Sequence, residues 1–241
     1  MQHYGIDTPL VAYHDHNESD ASESLVAKLL AGTSVALISD AGTPLISDPG
    51  YRLVKLAREQ GVEVIPIPGA SALTAALSVS GLPTDRFLFI GFLPSKQRAR
   101  EAALHAVAQE TATIVCYESR HRIAESVRDM VSVLGGDRNA TIARELTKRF
   151  EQTLQGTLAE LSEALESRQI TEKGEFVVMI KGAEAAGPSY DHAELMSALL
   201  VELPPRKAAG VVSQITGESR KVLYDIALSL KEGGTSKPGG K

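Results

Sequence analysis

The chain has 241 residues, of which 43% are hydrophobic and 23% charged, and its net charge is −5. This composition is typical of a globular protein with a sizeable core. The acidic balance gives no global sign of a nucleic-acid partner, although a local basic face can still bind phosphates. No apolar run approaches the roughly 18–20 residues that span a bilayer, and the first residues lack a signal-peptide core. These features predict a cytoplasmic protein without membrane contact.

Strand-like and helix-like segments alternate along the chain, which predicts the α/β class. Asp20 and Glu23 have the spacing of a capping box at the start of a helix. Short continuous apolar runs predict strands that are covered on both faces. In chain order, the first part is predicted to contain a helix from residue 20, a strand over 35–39, a helix over 53–60, a strand over 62–67 and a strand over 87–92.

A change of character at residues 92–95 predicts a domain boundary, with an N-terminal α/β domain over 1–93 and a second α/β domain over 94–184. Thr157 and Glu160 have capping-box spacing. The elements predicted for the second domain are a helix over 96–110, a strand over 113–118, a helix over 123–134, strands near 141–144 and 150–154, and a strand over 176–180. The single cysteine, Cys116, lies in one of these apolar runs and is predicted to be a buried core thiol.

The last part of the chain is predicted to be helical. Residues 183–191 have the composition of a linker. Residues 192–232 predict a small domain of about three helices, with Ser219 as an N-cap. Two short helices joined by a Gly-containing turn fit either a helix-turn-helix or a plain helical cap. Residues 233–241 are predicted to be a disordered tail.

Four loops carry the side chains that could do chemistry. SDAGTPLISDPG (39–50) and PGASA (68–72) each follow an apolar run, and their small residues allow a ligand to approach the backbone. In parallel sheets such loops meet where ligands bind, although an ordinary strand-to-helix turn also fits. YESRHR (117–122) and RELTKRFEQ (144–152) concentrate basic groups, for which a solvated helix start and a surface ion-pair network are the alternatives. His14 and His16 lack a third ligand, so no metal site is predicted.

These motifs occur together and in order, along with GFLPSK, ARELTK and GEFVVMIKG, over residues 36–182. The combination resembles the ribosomal RNA small-subunit (cytidine-2'-O-)-methyltransferases of the RsmI type, within the tetrapyrrole-methylase superfamily. The C-terminal ELPPRKAAGVVSQITGESRKVLYDIAL is similar to that family's small helical domain. The resemblance implies a two-domain α/β homodimer that holds S-adenosyl-L-methionine in a cleft between the domains. The implied reaction is 2'-O-methylation of a cytidine in 16S ribosomal RNA of the small subunit.

The resemblance also implies site residues. Cofactor contacts are expected at Ala41, Gly42, Thr43, Ile46, Ser71, Ala72, Tyr117, Glu118 and Gly156. A general base must accept the ribose hydroxyl proton, and the chemically suitable candidates are Glu118, His121 and, if its pKa is depressed, Lys148. Clustering of cations predicts phosphate contacts at Arg120, Arg122, Arg144, Lys148 and Arg149.

One departure from the family pattern affects the functional prediction. The family normally begins with a strand, a Pro- and Gly-rich loop and a helix with an EDTR-like motif, whereas QHYGIDTPL matches the family's segment just after that helix. We therefore expect an opened cofactor pocket, an exposed sheet edge and weak or absent activity. Two alternative functions are a truncated homologue that serves as an RNA-binding or dimerising module, and a corrinoid-type methylase of small molecules.

Overall fold

The computed structural model describes residues 2–184 and 191–233. The chain divides into two compact units, Met1–Ala183 and Glu184–Lys241. The predicted boundary near residue 93 lies inside the first unit and stays a prediction. Most of the predicted linker and residues 234–241 of the predicted tail lie outside the described residues.

Six helices and five strands of the first unit are described. The helices are α1 (Glu18–Leu30), α2 (Tyr51–Glu59), α3 (Ala72–Val79), α4 (Gln97–Ala106), α5 (Ile123–Leu134) and α6 (Leu158–Glu166). The strands are β1 (Phe87–Phe92), β2 (Thr113–Ser119), β3 (Asn139–Arg144), β4 (Gln152–Thr157) and β5 (Glu175–Ile180). The α/β class predicted from the sequence is confirmed.

The five strands form one sheet in the order β1-β2-β5-β3-β4. β1 and β2 are parallel, whereas the β2–β5, β5–β3 and β3–β4 pairs are antiparallel. β1, β2 and β3 therefore all end at the same edge of the sheet, where β4 and β5 begin. We call this the carboxyl edge; the loops after β1, β2 and β3 all leave from it.

Side chains alternate between the two faces of the sheet, as the pleat requires. One face carries Ile114 and Cys116 of β2 and packs against α4, α5 and α6 in the larger hydrophobic core. The other face carries Val115 and Tyr117 and packs against α3. Burial raises the pKa of the Cys116 thiol, so this cysteine is an inert core residue.

The predictions of strands over residues 35–39 and 62–67 are wrong. Neither segment is paired in a sheet among residues 2–184. Their inner side chains, Leu37, Val62 and Val64, pack against the core of α1 and α2. Their outer side chains, Ile38, Ile65 and Ile67, are exposed. An apolar run favours a strand, but a strand forms only where a neighbouring backbone supplies its hydrogen bonds.

Of the two predicted capping boxes, one forms. Thr157 Oγ1 accepts from the N–H of Glu160 at 3.2 Å, and a Glu160 carboxylate oxygen accepts from the N–H of Thr157 at 2.7 Å. At the other helix the prediction is wrong, because α1 begins at Glu18 and Asn17 makes no side-chain cap. The Glu18 carboxylate instead accepts from the backbone of Gly50 and Arg52 at the start of α2.

The second unit contains three helices among residues 191–233: α7 (His192–Leu200), α8 (Pro205–Thr216) and α9 (Arg220–Gly233). They pack around a small core that includes Met196, Val212 and Leu223. Gly217 ends α8 with a φ of 75°, and the predicted Ser219 cap accepts from the N–H of Val222 at 3.3 Å. No helix in the described residues is both long and apolar enough to cross a membrane.

Candidate functional site

The loop over residues 39–50 has an unusual backbone conformation. Besides two glycines, Leu45 and Ser47 adopt positive φ angles of 71° and 58°. A side chain in the left-handed region costs roughly 1–2 kcal/mol per residue, and such strain concentrates at ligand-binding sites. The backbone itself therefore marks this loop as a candidate binding element, independently of its sequence.

Two contacts hold this loop against its neighbours. Thr43 Oγ1 donates to the carbonyl of Ala70 at 2.9 Å, which joins the loop to PGASA. Gly91 of β1 has a φ of +65°, and a methyl group there would lie 3.3 Å from Ser47 Oγ. The loop therefore passes close to the carboxyl end of β1, where Gly91 allows the approach.

Tyr117 joins the second loop to the sheet. Its hydroxyl accepts from the N–H of Leu73 in the first turn of α3 at 3.2 Å. Its ring makes edge-to-face contacts with Phe89 and Phe92 of β1, with centroids 4.8 and 5.6 Å apart. Burial raises the pKa of Tyr117, so its hydroxyl stays protonated at neutral pH.

These contacts bring most of the predicted cofactor residues to one place. We call residues 39–50, 68–73 and Tyr117 the loop cluster. Ala41, Gly42, Thr43 and Ile46 lie on its first loop, Ser71 is the residue before α3 and Ala72 is the first residue of that helix. Three segments of the chain thus meet at the carboxyl edge.

Glu118 does not belong to the loop cluster, because it points to the other face of the sheet. Its side chain is fully buried and forms an ion pair with Arg122 at 3.0 Å. One carboxylate oxygen accepts from the Ser126 hydroxyl of α5 at 2.6 Å, and the other accepts from the N–H of Ser119 at 2.7 Å. The partners of this carboxylate are therefore residues at the end of β2 and in α5, and it faces neither solvent nor the predicted cofactor loops.

Arg122 is likewise engaged within the protein. Besides Glu118, its guanidinium donates to the Leu93 carbonyl at 3.2 Å and to Ser119 Oγ at 3.3 Å. It therefore ties the end of β1 to the end of β2. In this arrangement Arg122 positions the carboxyl edge, and a phosphate would have to displace these bonds.

A second strained loop follows β3, where Glu145 and Thr147 have φ angles of 48° and 65°. The buried Arg144 holds it: its Nε donates to the Lys173 carbonyl at 2.5 Å and its Nη1 to the Phe150 carbonyl at 3.1 Å. Arg144, predicted to bind phosphate, thus supports the loop from inside.

Lys148 closes the same loop with two ion pairs, to Glu145 at 3.0 Å and to Glu175 at 2.8 Å. Its hydrogen bonds to these carboxylates raise its pKa. A lysine acts as a base only where its pKa is depressed, so the condition attached to Lys148 as a catalytic candidate is not met.

Four of the predicted basic side chains are exposed at the carboxyl edge: Arg120, His121, Arg149 and the ion-paired Lys148. Arg120 Nε donates to His121 Nε2 at 3.1 Å. The Arg149 guanidinium lies 5.5 Å from the ring centroid of Phe150. Arg120, His121 and Arg149 face solvent and are available to an anionic partner.

Gly156 is not brought to the loop cluster. It pairs with Ala140 near the end of β4, at the opposite edge of the sheet. A methyl group there would lie 2.9 Å from a Glu160 carboxylate oxygen, beside α6. Its small size therefore serves the capping of α6 in this structure.

Sequence reasoning did not single out Ser47, Gly91 or Phe150. The first two make the close approach between the first loop and β1. A glycine inside the apolar strand FLFIGF is the signal that could have revealed this approach. For Phe150, an aromatic residue within a charged run was the available sign.

Replacement of Gly91 tests the contact between loop and strand. Gly91→Ala adds strain at positive φ and a methyl group near Ser47, so we expect stability to fall by about 1–2 kcal/mol and the first loop to shift. Gly61→Ala is the matched control, because Gly61 has a φ of +74° but no atom within 4 Å of the added methyl group. Thermal unfolding and calorimetric titration with S-adenosylmethionine should show a stability loss in both variants and weaker binding in Gly91→Ala alone. Equal affinities would contradict a role for this contact.

Comparison with known proteins identifies the family. Residues 2–162 match the model of the Tetrapyrrole (Corrin/Porphyrin) Methylases, and residues 186–231 match the RsmI C-terminal HTH domain. A protein of Xylella fastidiosa strain Temecula1 named ribosomal RNA small subunit methyltransferase I is 48% identical over 93% of this chain and 83% of its own length. The relative of the same name in Escherichia coli O157:H7 is 44% identical over 95% of this chain and 80% of its own. The chain belongs to the ribosomal RNA small subunit methyltransferase I family.

Solved structures agree with the tetrapyrrole-methylase fold of this family. The methyltransferase CobJ is similar with a TM-score of 0.50 and 20% identity, over 71% of this chain and 74% of that protein. Diphthine synthase is similar with a TM-score of 0.50 and 17% identity, over 71% of this chain and 68% of that protein. At these identities the likeness concerns the fold.

Proposed function

We propose that this chain is an S-adenosylmethionine-dependent enzyme that methylates the 2'-hydroxyl of a cytidine ribose in 16S ribosomal RNA. The observation that carries the proposal is the convergence of the strained 39–50 loop, the PGASA loop and Tyr117 at one edge of the sheet. Relatives at 44–48% identity named ribosomal RNA small subunit methyltransferase I support the substrate class.

The loop cluster has the features that an S-adenosylmethionine site requires. A methyl group added at Gly42 would meet only the Ala70 carbonyl, at 3.9 Å, so a ligand can approach this backbone closely. Ser71 makes no side-chain cap to α3, and its hydroxyl lies within hydrogen-bonding reach of the Tyr117 hydroxyl, so the two residues adjoin each other in the loop cluster. We therefore assign cofactor binding to Ala41, Gly42, Thr43, Ile46, Ser71, Ala72 and Tyr117.

When bound, S-adenosylmethionine supplies an activated methyl group to a nucleophilic oxygen. The protein's contribution is then to align that oxygen with the methyl group and to accept the hydroxyl proton. Tyr117 holds the start of α3 at the edge of β2, which keeps the cofactor loop in place relative to the exposed loop after β2.

We assign proton acceptance to His121 among the three candidates. Glu118 is buried in an ion pair, and the pKa of Lys148 is raised by its carboxylate partners. His121 lies exposed in the turn after β2, and its Nε2 accepts a hydrogen bond from Arg120.

The test is transfer of a labelled methyl group by the purified chain. Small ribosomal subunits, free 16S ribosomal RNA and a corrinoid are offered in parallel, and the RNA product is digested to nucleosides for mass spectrometry. We expect slow transfer of label to 2'-O-methylcytidine in the subunits. Label in the corrinoid alone, or on a base instead of a ribose, would overturn the proposal.

A homodimer and a cytoplasmic location are proposed with this function. The exposed apolar side chains of residues 35–39 and 62–67 supply surface of the kind that oligomers cover. Analytical ultracentrifugation of the purified chain should show a dimer; a monomer at micromolar concentration would contradict it.

A further inference from the structure

We propose that Phe150 is a stacking platform for an unpaired base of the RNA substrate. Arg149 is its cationic partner. This inference rests on the proposed function and adds a substrate-positioning residue outside the cofactor loops.

Phe150 is exposed in a way that is unusual for a phenylalanine. Its relative exposure is 62%, and it lies two residues before β4 at the carboxyl edge. The guanidinium of Arg149 is 5.5 Å from the ring centroid, within the range of a cation–π contact. An aromatic ring paired with a guanidinium is the combination on which unpaired nucleobases stack.

The loop that presents this ring is rigid. The buried Arg144 side chain donates to the Phe150 carbonyl, and Lys148 links the loop to β5 through its ion pair with Glu175. The N–H of Thr147 also donates to the Glu151 carboxylate at 2.5 Å. Because these bonds already fix the backbone, stacking on Phe150 costs little ordering of the loop.

The surroundings of the ring favour a nucleobase over a protein partner. Lys148, Arg149 and Glu151 beside it are exposed and charged, and Leu146, the other apolar residue of the loop, packs into the core of the α3 face. A single aromatic ring among charges does not form an apolar docking surface for a helix or strand. It does fit a flat base whose phosphates lie near Arg149.

The ring lies at the same edge as the proposed reaction site. In the strand register, Phe176 of β5 pairs with Arg144 of β3 on one side and with Glu118 of β2 on the other. Phe150 comes two residues before Gln152 of β4, which pairs with Arg144, so three strand spacings, about 14 Å, separate the ends of β4 and β2. A base held at Phe150 and a ribose near His121 can therefore belong to neighbouring parts of one RNA strand.

The test compares four variants: Phe150→Ala, Phe150→Leu, Phe150→Trp and Phe87→Ala. Phe87 is a matched control because it is also an exposed phenylalanine but lies at the opposite edge of the sheet. The measurements are affinity for small ribosomal subunits by filter binding, KM and kcat for methyl transfer, S-adenosylmethionine affinity by calorimetry, and Tm.

We expect Phe150→Ala and Phe150→Leu to weaken subunit binding about 5- to 100-fold and to raise KM. Phe150→Trp should bind like the wild type, and Phe87→Ala should be unchanged. Cofactor affinity and Tm should be unaffected throughout. Wild-type binding by Phe150→Leu, or an equal loss in Phe87→Ala, would overturn the stacking role. A wild-type chain that transfers no methyl group to RNA would instead overturn the proposed function.

Discussion

The Glu118→Ala variant is expected to lose about 3 kcal/mol of folding free energy, as is typical when one partner of a buried ion pair is removed. The change leaves the Ser126 hydroxyl, the Ser119 N–H and the Arg122 guanidinium without their carboxylate acceptor. Urea denaturation at neutral pH measures the loss. The midpoint should fall with the slope unchanged, because the surface exposed on unfolding is nearly the same.

Glu118→Gln separates a positioning role from a catalytic one. The amide keeps the volume and most of the hydrogen bonds of the carboxylate but cannot accept a proton. If Glu118 positions Arg122 and the carboxyl edge, this variant should retain methyl transfer within about tenfold, with a smaller stability loss than Glu118→Ala. A well-folded Glu118→Gln that loses 10²-fold or more in kcat, the loss typical of a missing general base, would contradict this role and reassign the base.

The His121→Gln variant is expected to lose roughly 10²- to 10⁴-fold in kcat, the contribution of a general base. The side chain is exposed after β2, so Tm and S-adenosylmethionine affinity should stay at wild-type values. Single-turnover methyl transfer to small ribosomal subunits measures the chemical step directly.

Arg120→Gln is the matched control for His121. Arg120 is the neighbouring exposed side chain and donates to the His121 ring, so its proposed role is in binding RNA. Its loss should raise KM and weaken the salt dependence of RNA binding, while kcat changes far less than in His121→Gln. A His121→Gln enzyme with wild-type kcat would show that the proton leaves by another route.

Local sequence signals predicted several elements closely. The strand FLFIGF was predicted over 87–92 and occupies Phe87–Phe92, and the helix predicted over 123–134 occupies Ile123–Leu134. The capping box of Thr157 and Glu160 forms as predicted. Such features depend on residues that are close in sequence, so the local sequence is enough to predict them. The apolar runs at 35–39 and 62–67 depend on partner strands, and no local pattern guarantees one.

Charge patterning indicated which loops are basic, but not which cations are free. Arg122 and Arg144 look like phosphate ligands in the sequence, yet the fold turns both inward against carbonyl groups. Arg120 and Arg149, only a few residues away from them, remain exposed. The difference arises from which backbone carbonyls the sheet places beside each guanidinium, and those carbonyls are distant in sequence.

Local patterns in the sequence predict the α/β class, the family and the candidate loops, because small-residue turns, caps and apolar runs involve only neighbouring residues. The different roles of adjacent residues follow only from the packing of the folded chain. Tyr117 and Glu118 are adjacent in the chain, but the pleat directs them to opposite faces, one towards α3 and the other into the core on the α5 side. Alternation along a strand is predictable. Which face receives α3 and which receives α5 depends on packing between distant segments.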